Sequence, residues 1–154
     1  MSDSLNKVCA FTGHRDITEE IDLNGLDSRL QEVVENGYTT FLCGMARGFD
    51  LIAAEAVLKL KEQNQDIKLI ACIPCPGQER YYSFGEKDKY RRVLKKCDEV
   101  NILSDRYYTG CMQMRDRYMV DNCDLVFAYC KRNSGGTYYT LKYAVKNNKK
   151  IIIM

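Results

Sequence analysis

Residues 111–140 read CMQMRDRYMVDNCDLVFAYCKRNSGGTYYT. The stretch divides into a helical segment, a short strand, a glycine loop and the start of a second helix. Leu125-Val126-Phe127-Ala128-Tyr129 is an unbroken apolar run, the pattern of a strand buried on both faces. Ser134-Gly135-Gly136-Thr137 follows it, and Tyr138, Leu141 and Val145 then recur at helical spacing. A strand, two glycines and a helix start leave unbonded backbone N–H groups above the strand's carboxyl end. The helix dipole adds positive potential there, so an anion such as phosphate is favoured. Taken alone, SGGT reads equally well as a turn with a helix cap. It gains weight only where other loops converge on the same edge.

The rest of the chain repeats the same alternation. Val8–Phe11 is a first buried strand, ending in Thr12-Gly13-His14-Arg15. Leu23, Leu26, Leu30, Val33 and Val34 mark a helix that Asn36-Gly37 stops. Tyr38–Cys43 is a second strand and runs into GMARGFD, residues 44–50, then a helix from about Leu51 to Gln63. Ile67–Ile73 is a third strand, broken by Pro74-Cys75-Pro76-Gly77. Residues 78–85 read as an irregular loop, Tyr90, Val93, Leu94 and Cys97 as a third helix, Val100–Leu103 as a weaker fourth strand, and Ile151–Ile153 as a sixth. The alternation predicts a Rossmann-like three-layer α/β sandwich, a mostly parallel sheet of roughly six strands in one domain over residues 1–154. Such sheets bind ligands beyond the carboxyl ends of their strands, where the strand order reverses. The distinctive polar sequences, 12–15, 44–50, 74–82, 104–117 and 133–140, all fall on that edge.

The 154 residues carry a net charge of +2, a pI near 8.1 and 45% hydrophobic residues. That balance gives no bulk electrostatic argument for nucleic acid. No apolar run approaches the ~20 residues of a membrane-spanning helix, so a membrane partner is excluded. MSDSLNK has no apolar signal core, which places the protein in the cytoplasm. Three of the eight cysteines, Cys9, Cys43 and Cys72, sit in strand-like runs, where a thiol is a small hydrophobe. Cys72-Ile73-Pro74-Cys75 is a CxxC without a second pair, so no metal site and no cofactor is expected.

Each candidate site residue has a bland reading beside the functional one. Gly44 and Gly48 allow close backbone approach. Asp50 is an N-cap or a ligand for a ribose hydroxyl, and both roles are compatible. Thr12, Gly13, His14 and Arg15 offer a hydroxyl, a flexible backbone, an imidazole and a guanidinium. His14, the only histidine, reads better as a hydrogen-bonded loop residue than as a catalytic base. Arg15, Arg80, Arg106, Arg115 and Arg117 suit phosphate, with at least two of them expected to be merely solvated. Tyr81-Tyr82 and Tyr107-Tyr108 stack on a base or pack. Neither GxGxxG nor GxxxxGK[ST] occurs.

With TGHR after the first strand, GMARGFDLIAAEAV at 44–57, IPCPGQE at 73–79, and RDRYMVDNCD with SGGT between 115 and 137, nearly the whole chain resembles the SLOG superfamily of Rossmann-like proteins and, within it, the YpsA-like group. The resemblance implies a nucleotide or nucleotide-derived ligand, ADP-ribose-like for example, on the edge already named. It places Thr12, Gly13, His14, Arg15, Gly44, Gly48, Asp50, Arg80, Arg115, Ser134, Gly135, Gly136 and Thr137 around that ligand. The chain is then a sensor or adaptor. The superfamily also holds the LOG enzymes, which hydrolyse the N-glycosidic bond of nucleoside monophosphates. Arg115 matches their arginine, and Gly135, Gly136 and Thr137 resemble part of their glycine loop. Tyr139 and Thr140 stand where LOG enzymes carry a carboxylate, which such cleavage needs. Catalysis is therefore left open, with Asp50 and Arg115 as the catalytic residues of an enzyme and Asp50 or Asp121 replacing the carboxylate. A third relative, DprA, binds single-stranded DNA. The low net charge and the absence of an added domain lead us not to expect nucleic acid as a partner. A vestigial-site scaffold and a homo-oligomer stay open.

Overall fold

The apolar runs become strands and the periodic segments become helices. A computed structural model describes residues 6–154; of the stretch read for a secretion signal, residues 1–5 lie outside the described residues. The elements run β1 (Lys7–Gly13), α1 (Leu23–Glu35), β2 (Tyr38–Cys43), α2 (Phe49–Lys61), β3 (Lys68–Ile73), α3 (Phe84–Lys96), β4 (Glu99–Ile102), α4 (Cys111–Asp121), β5 (Leu125–Tyr129), α5 (Gly136–Lys146) and β6 (Lys150–Ile153). A single 3-10 turn, Gln78–Tyr81, precedes α3. The third helix thus starts earlier than its apolar spacing indicates. Ser83 and Glu86 explain this, since they form a reciprocal capping box at its amino end, which satisfies two otherwise orphaned N–H donors.

All six strands are parallel, in the order β4-β3-β2-β1-β5-β6. The chain steps outward from β1 to β4 and then returns through α4 to place β5 on the free side of β1. The order therefore reverses between β1 and β5, whose residues pair from Cys9 with Leu125 to Gly13 with Tyr129. β1 and β5 are tied at both ends. At the amino end, the Asp124 carboxylate accepts from the Val8 N–H at 2.9 Å. At the carboxyl end, His14 Nε2 accepts from the Lys131 N–H at 2.8 Å.

Strands in such a sheet are apolar on both faces because helices cover both. α1, α2 and α3 pack on one face over Phe11, Phe41, Leu69 and Phe127. α4 and α5 pack on the other over Ala10, Leu42, Cys72 and Val126. Phe49, the first residue of α2, stacks on Phe127 and Tyr129 and meets Phe11 edge-on. This aromatic cluster anchors the start of α2 to the carboxyl ends of β1 and β5. Truncating a buried ring of this kind costs about 3–5 kcal/mol.

Candidate functional site

The predicted glycines divide into two groups. At Gly13 an added Cβ would lie 2.4 Å from the Phe49 ring, and at Gly44 it would lie 2.8 Å from the Arg115 guanidinium. At Gly48 it would meet the Arg15 carbonyl oxygen at 2.4 Å, on a backbone with φ of +80°. These three admit other parts of the protein. At Gly135 and Gly136 an added Cβ meets nothing within 4 Å, so these two are open to an external group.

The helix starts differ in the same sense. Asp22 caps α1 by accepting from the Gly25 N–H at 3.0 Å, and Ser83 caps α3. α2, α4 and α5 begin after Gly48, Gly110 and Gly135 with no side-chain cap. The first N–H of α2, that of Phe49, is nevertheless used, because it donates to the His14 carbonyl at 3.1 Å. α2 is thus closed by the loop after β1. α5 stays open beside the reversal point, with Thr137 buried in its first turn and Ser134 exposed before it.

Arg115 and Asp50 lie beneath the β2–α2 loop, both 5% exposed. Arg115 donates from Nη1 to the Gly44 carbonyl at 2.5 Å and to the Cys72 carbonyl at 3.4 Å, and from Nε to Asp116 at 2.8 Å. It fastens α4 to the ends of β2 and β3. Gln78 Nε2 donates to the same Gly44 carbonyl at 2.9 Å, and the Tyr82 hydroxyl donates to the Met45 carbonyl at 2.8 Å. Met45 is fully buried with φ of +62°, a conformation a non-glycine residue holds only where its surroundings over-determine it. These contacts hold the loop in place.

Inside this cage Asp50 Oδ2 accepts from the Ala46 N–H at 3.2 Å. Asp50 Oδ1 and Gln78 Oε1 are buried with no hydrogen-bond partner. Unsatisfied buried acceptors are rare and costly. Burial pushes the Asp50 carboxyl up to about 7; Arg115 and the Ala46 N–H pull it down, while Asp116 pushes it up. For Arg115, burial disfavours the charge, but Asp116 and Asp50 outweigh it and hold the guanidinium ionised.

His14 is 4% exposed and lies edge-on to Tyr129. Burial first, then Arg132 and Lys131, lower its pKa, so it is neutral and free to accept from Lys131. It positions the loop that leads to Gly135. Thr12 is buried at the end of β1, and Arg15 is exposed. Arg80 is exposed, its guanidinium carbon 5.9 Å from the Tyr81 ring centre. Arg106 and Arg117 are exposed as well, which leaves Arg115 as the buried arginine of the five. Tyr81, Tyr107 and Tyr108 are exposed.

Residue-by-residue reading missed Asp116. Its Oδ2 lies 3.4 Å from the Thr140 hydroxyl, so a carboxylate from α4 reaches the position where Tyr139 and Thr140 lack one. Asp121, weighed as a substitute, instead accepts from the Tyr143 hydroxyl at 2.8 Å at the far end of α4. Gln78 was also missed as a cage residue, and Tyr82, read as a stacking or packing tyrosine, packs here through its hydroxyl. The thiols of the CxxC are both buried, and Cys75 interacts with Cys111. Among the described residues no group of three His, Cys, Asp or Glu side chains is arranged to hold a metal. None of their helices is long and apolar enough to cross a membrane.

Two solved structures share this architecture. DNA processing protein A (DprA) from Streptococcus pneumoniae matches with a TM-score of 0.67 at 19% identity, over 99% of this chain and 51% of that one. DprA from Helicobacter pylori, described for its single-stranded DNA binding mode, matches with a TM-score of 0.70 at 20% identity, over 99% and 66%. The chain thus spans about half of the first protein and just under two thirds of the second. This corrects the expectation that nucleic acid is no partner, because the fold is one that a single-stranded DNA binder uses. Net charge failed as a guide because a sum over the whole chain says nothing about its fold.

Among curated proteins, a UPF0398 protein of Halalkalibacterium halodurans is 30% identical over 140 residues, 89% of this chain and 73% of that one. The SPbeta prophage-derived protein YoqJ of Bacillus subtilis is 32% identical over 124 residues, 73% and 72% of the two chains. UPF0398 protein YpsA of the same organism is 27% identical over 128 residues. The family model YpsA matches residues 8–152, from the second residue of β1 to the third of β6, and by that match the chain belongs to the YspA SLOG family.

Proposed function

We propose that the chain binds a nucleotide-derived ligand, combining phosphate and ribose as ADP-ribose does, at the carboxyl edge of its sheet and serves as a sensor or adaptor. One observation carries this reading: α5 begins uncapped and open at Gly135 and Gly136, beside the reversal of strand order, whereas α2 is closed by the protein itself. Free N–H groups at a helix start favour an anion. Asp50 Oδ1 supports it independently as an unpartnered acceptor suited to a ribose hydroxyl. Eight unpaired cysteines, six of them buried, agree with a reducing compartment such as the cytoplasm.

The experiment is native mass spectrometry of freshly purified protein, followed by thermal-shift titration with AMP, ADP-ribose and oligothymidylate. AMP or ADP-ribose should stabilise the parent, and Gly136→Val should abolish the shift while keeping the parent's unfolding temperature. Equal shifts in parent and variant would remove the glycine loop from the site.

A second reading, N-glycoside hydrolysis, is favoured by two particular features. Asp50, with a pKa near 7, is matched to proton transfer at neutral pH, and Asp116 places a carboxylate beside Thr140. Incubating AMP with the protein and chromatographing the products decides it. Base release by the parent, abolished in Asp50→Asn at saturating substrate, converts the binder into an enzyme.

A further inference from the structure

A groove on the outer flank of α5 takes no part in the reading above. Its volume is about 620 Å³. The floor is apolar, made by Leu141 and Val145 of α5 and by Ile151 and Ile153 of β6. Lys131, Arg132, Lys142 and Lys146 stand around it, and no acidic side chain lines it. Val145 is 63% and Ile153 53% exposed, so the floor faces solvent.

β6 is an edge strand. The Lys150 N–H donates to the Asp124 carbonyl at 3.4 Å, and the Met154 N–H donates to the Ala128 carbonyl at 2.8 Å. Alternate residues of a parallel strand send their main-chain groups to the same side. Ile151 and Ile153 therefore turn their N–H and C=O away from β5, to the side where, among the described residues, the sheet has no further strand. The same two residues supply side chains to the groove floor. A bare apolar edge is what proteins ordinarily blunt with charge, proline or a bulge; along β6 only Lys150, at its start, carries a charge.

We propose that this surface docks an acidic peptide segment, which joins β6 as a further parallel or antiparallel strand. It pairs with the main chain of Ile151 and Ile153 and turns every second side chain toward the groove; on that one face, apolar side chains meet the floor and carboxylates meet the four cations. A nucleic acid fits less well because it has no main chain of alternating N–H and C=O groups with which to continue the ladder along β6. A second copy also fits less well. β6 against β6 sets cation against cation, and the opposite edge, β4, has Glu99 as its one acid.

The test titrates the isotope-labelled full chain with a synthetic peptide of about ten residues, with threonine at every other position and valine and glutamate taking turns between, long enough to span β6, and follows backbone amide resonances. The expected result is perturbation centred on Ile151, Ile153 and α5. Ile153→Pro removes only an outward N–H, a change edge strands tolerate, and should abolish binding while keeping the parent's unfolding midpoint. The double variant Lys142→Glu, Lys146→Glu should weaken binding about tenfold or more, and it carries the test alone should Ile153→Pro fail to fold. The proposal is overturned by any of four outcomes. These are no response to the peptide, an equal response to a lysine–valine analogue, oligothymidylate perturbing these residues where the acidic peptide does not, or sedimentation showing self-association that Ile153→Pro removes.

Discussion

A glycine's function depends on what faces it. Gly48 is held at φ of +80° with carbonyl oxygens of His14 and Arg15 where a Cβ would go. Gly48→Ala meets both backbone strain and a clash with atoms that cannot rotate aside, so it should lower stability by about 2–4 kcal/mol. Gly136→Ala meets open space at a helical position, and urea denaturation should show it unchanged or stabilised by about 0.4–1 kcal/mol. Asp50 gives a second prediction at this scale. Its folded pKa of about 7 stands above the unfolded value of 3.8. Between those values the folded chain keeps a proton that the unfolded chain has released. Stability therefore falls as pH rises through the interval and is lowest above it. Asp50→Asn removes this slope and keeps an acceptor for the Ala46 N–H. It should match the parent near pH 4 and exceed it at pH 8, by up to about 4 kcal/mol. His14, held neutral, works in the opposite direction. It favours the folded state above the unfolded histidine pKa of 6.5 and loses that contribution as pH falls, so the difference between Asp50→Asn and parent, not either curve alone, isolates Asp50.

Elements meet at the carboxyl edge of the sheet through a few long-range contacts, and Arg115 makes several of these. It joins α4 to the ends of β2 and β3 and neutralises a pocket that holds Asp50 and Asp116. Arg115→Ala leaves the Gly44 carbonyl without its arginine donor, Asp116 without its partner and Asp50 without its nearby cation. Breaking a buried pair in this way costs about 3–5 kcal/mol. Arg115→Lys keeps the charge but cannot reproduce the planar fork, so its loss should be intermediate. Urea midpoints order the three proteins, and a ligand contact alone would leave all three alike in the absence of ligand. The elements themselves were readable from sequence because each rests on local spacing: Leu26, Leu30 and Val33 for α1, the continuous run 125–129 for β5. α3 was placed too late because apolar spacing was followed in preference to the Ser83–Glu86 capping box, which is equally local. The roles of Gly13, Gly44, Asp116 and Gln78 were not readable. Each depends on a side chain that folding brings from elsewhere in the chain: Phe49, Arg115, Thr140 and the loop at Gly44.

Across the whole molecule, two helical layers over one sheet sort the eight cysteines by depth. Cys9, Cys43, Cys72, Cys75, Cys111 and Cys123 are buried, while Cys97 and Cys130 are half-buried. Reaction with a thiol reagent needs both access and thiolate. Burial, followed by the neighbouring Asp98, pushes Cys97 up to about 11, with Lys61 opposing, so access there is wasted at neutral pH. Burial likewise pushes Cys72 up to about 12, with Arg115 opposing, and that thiol has no access either. Cys130 lies in the loop after β5 at the mouth of the cationic groove, with its Sγ 3.2 Å from the Arg132 carbonyl, and Lys131 and Arg132 beside it favour an anionic reagent. Ellman's reagent added to native protein at pH 7.5 should therefore show one fast thiol, lost in Cys130→Ser. Cys97 should follow slowly, and the full eight should appear only in denaturant. Two or more fast thiols in the native protein would mean that the layers covering β1, β2 and β3 open far more readily than their packing allows, whereas fewer than eight in denaturant would reveal a covalent link that this arrangement of free thiols does not contain.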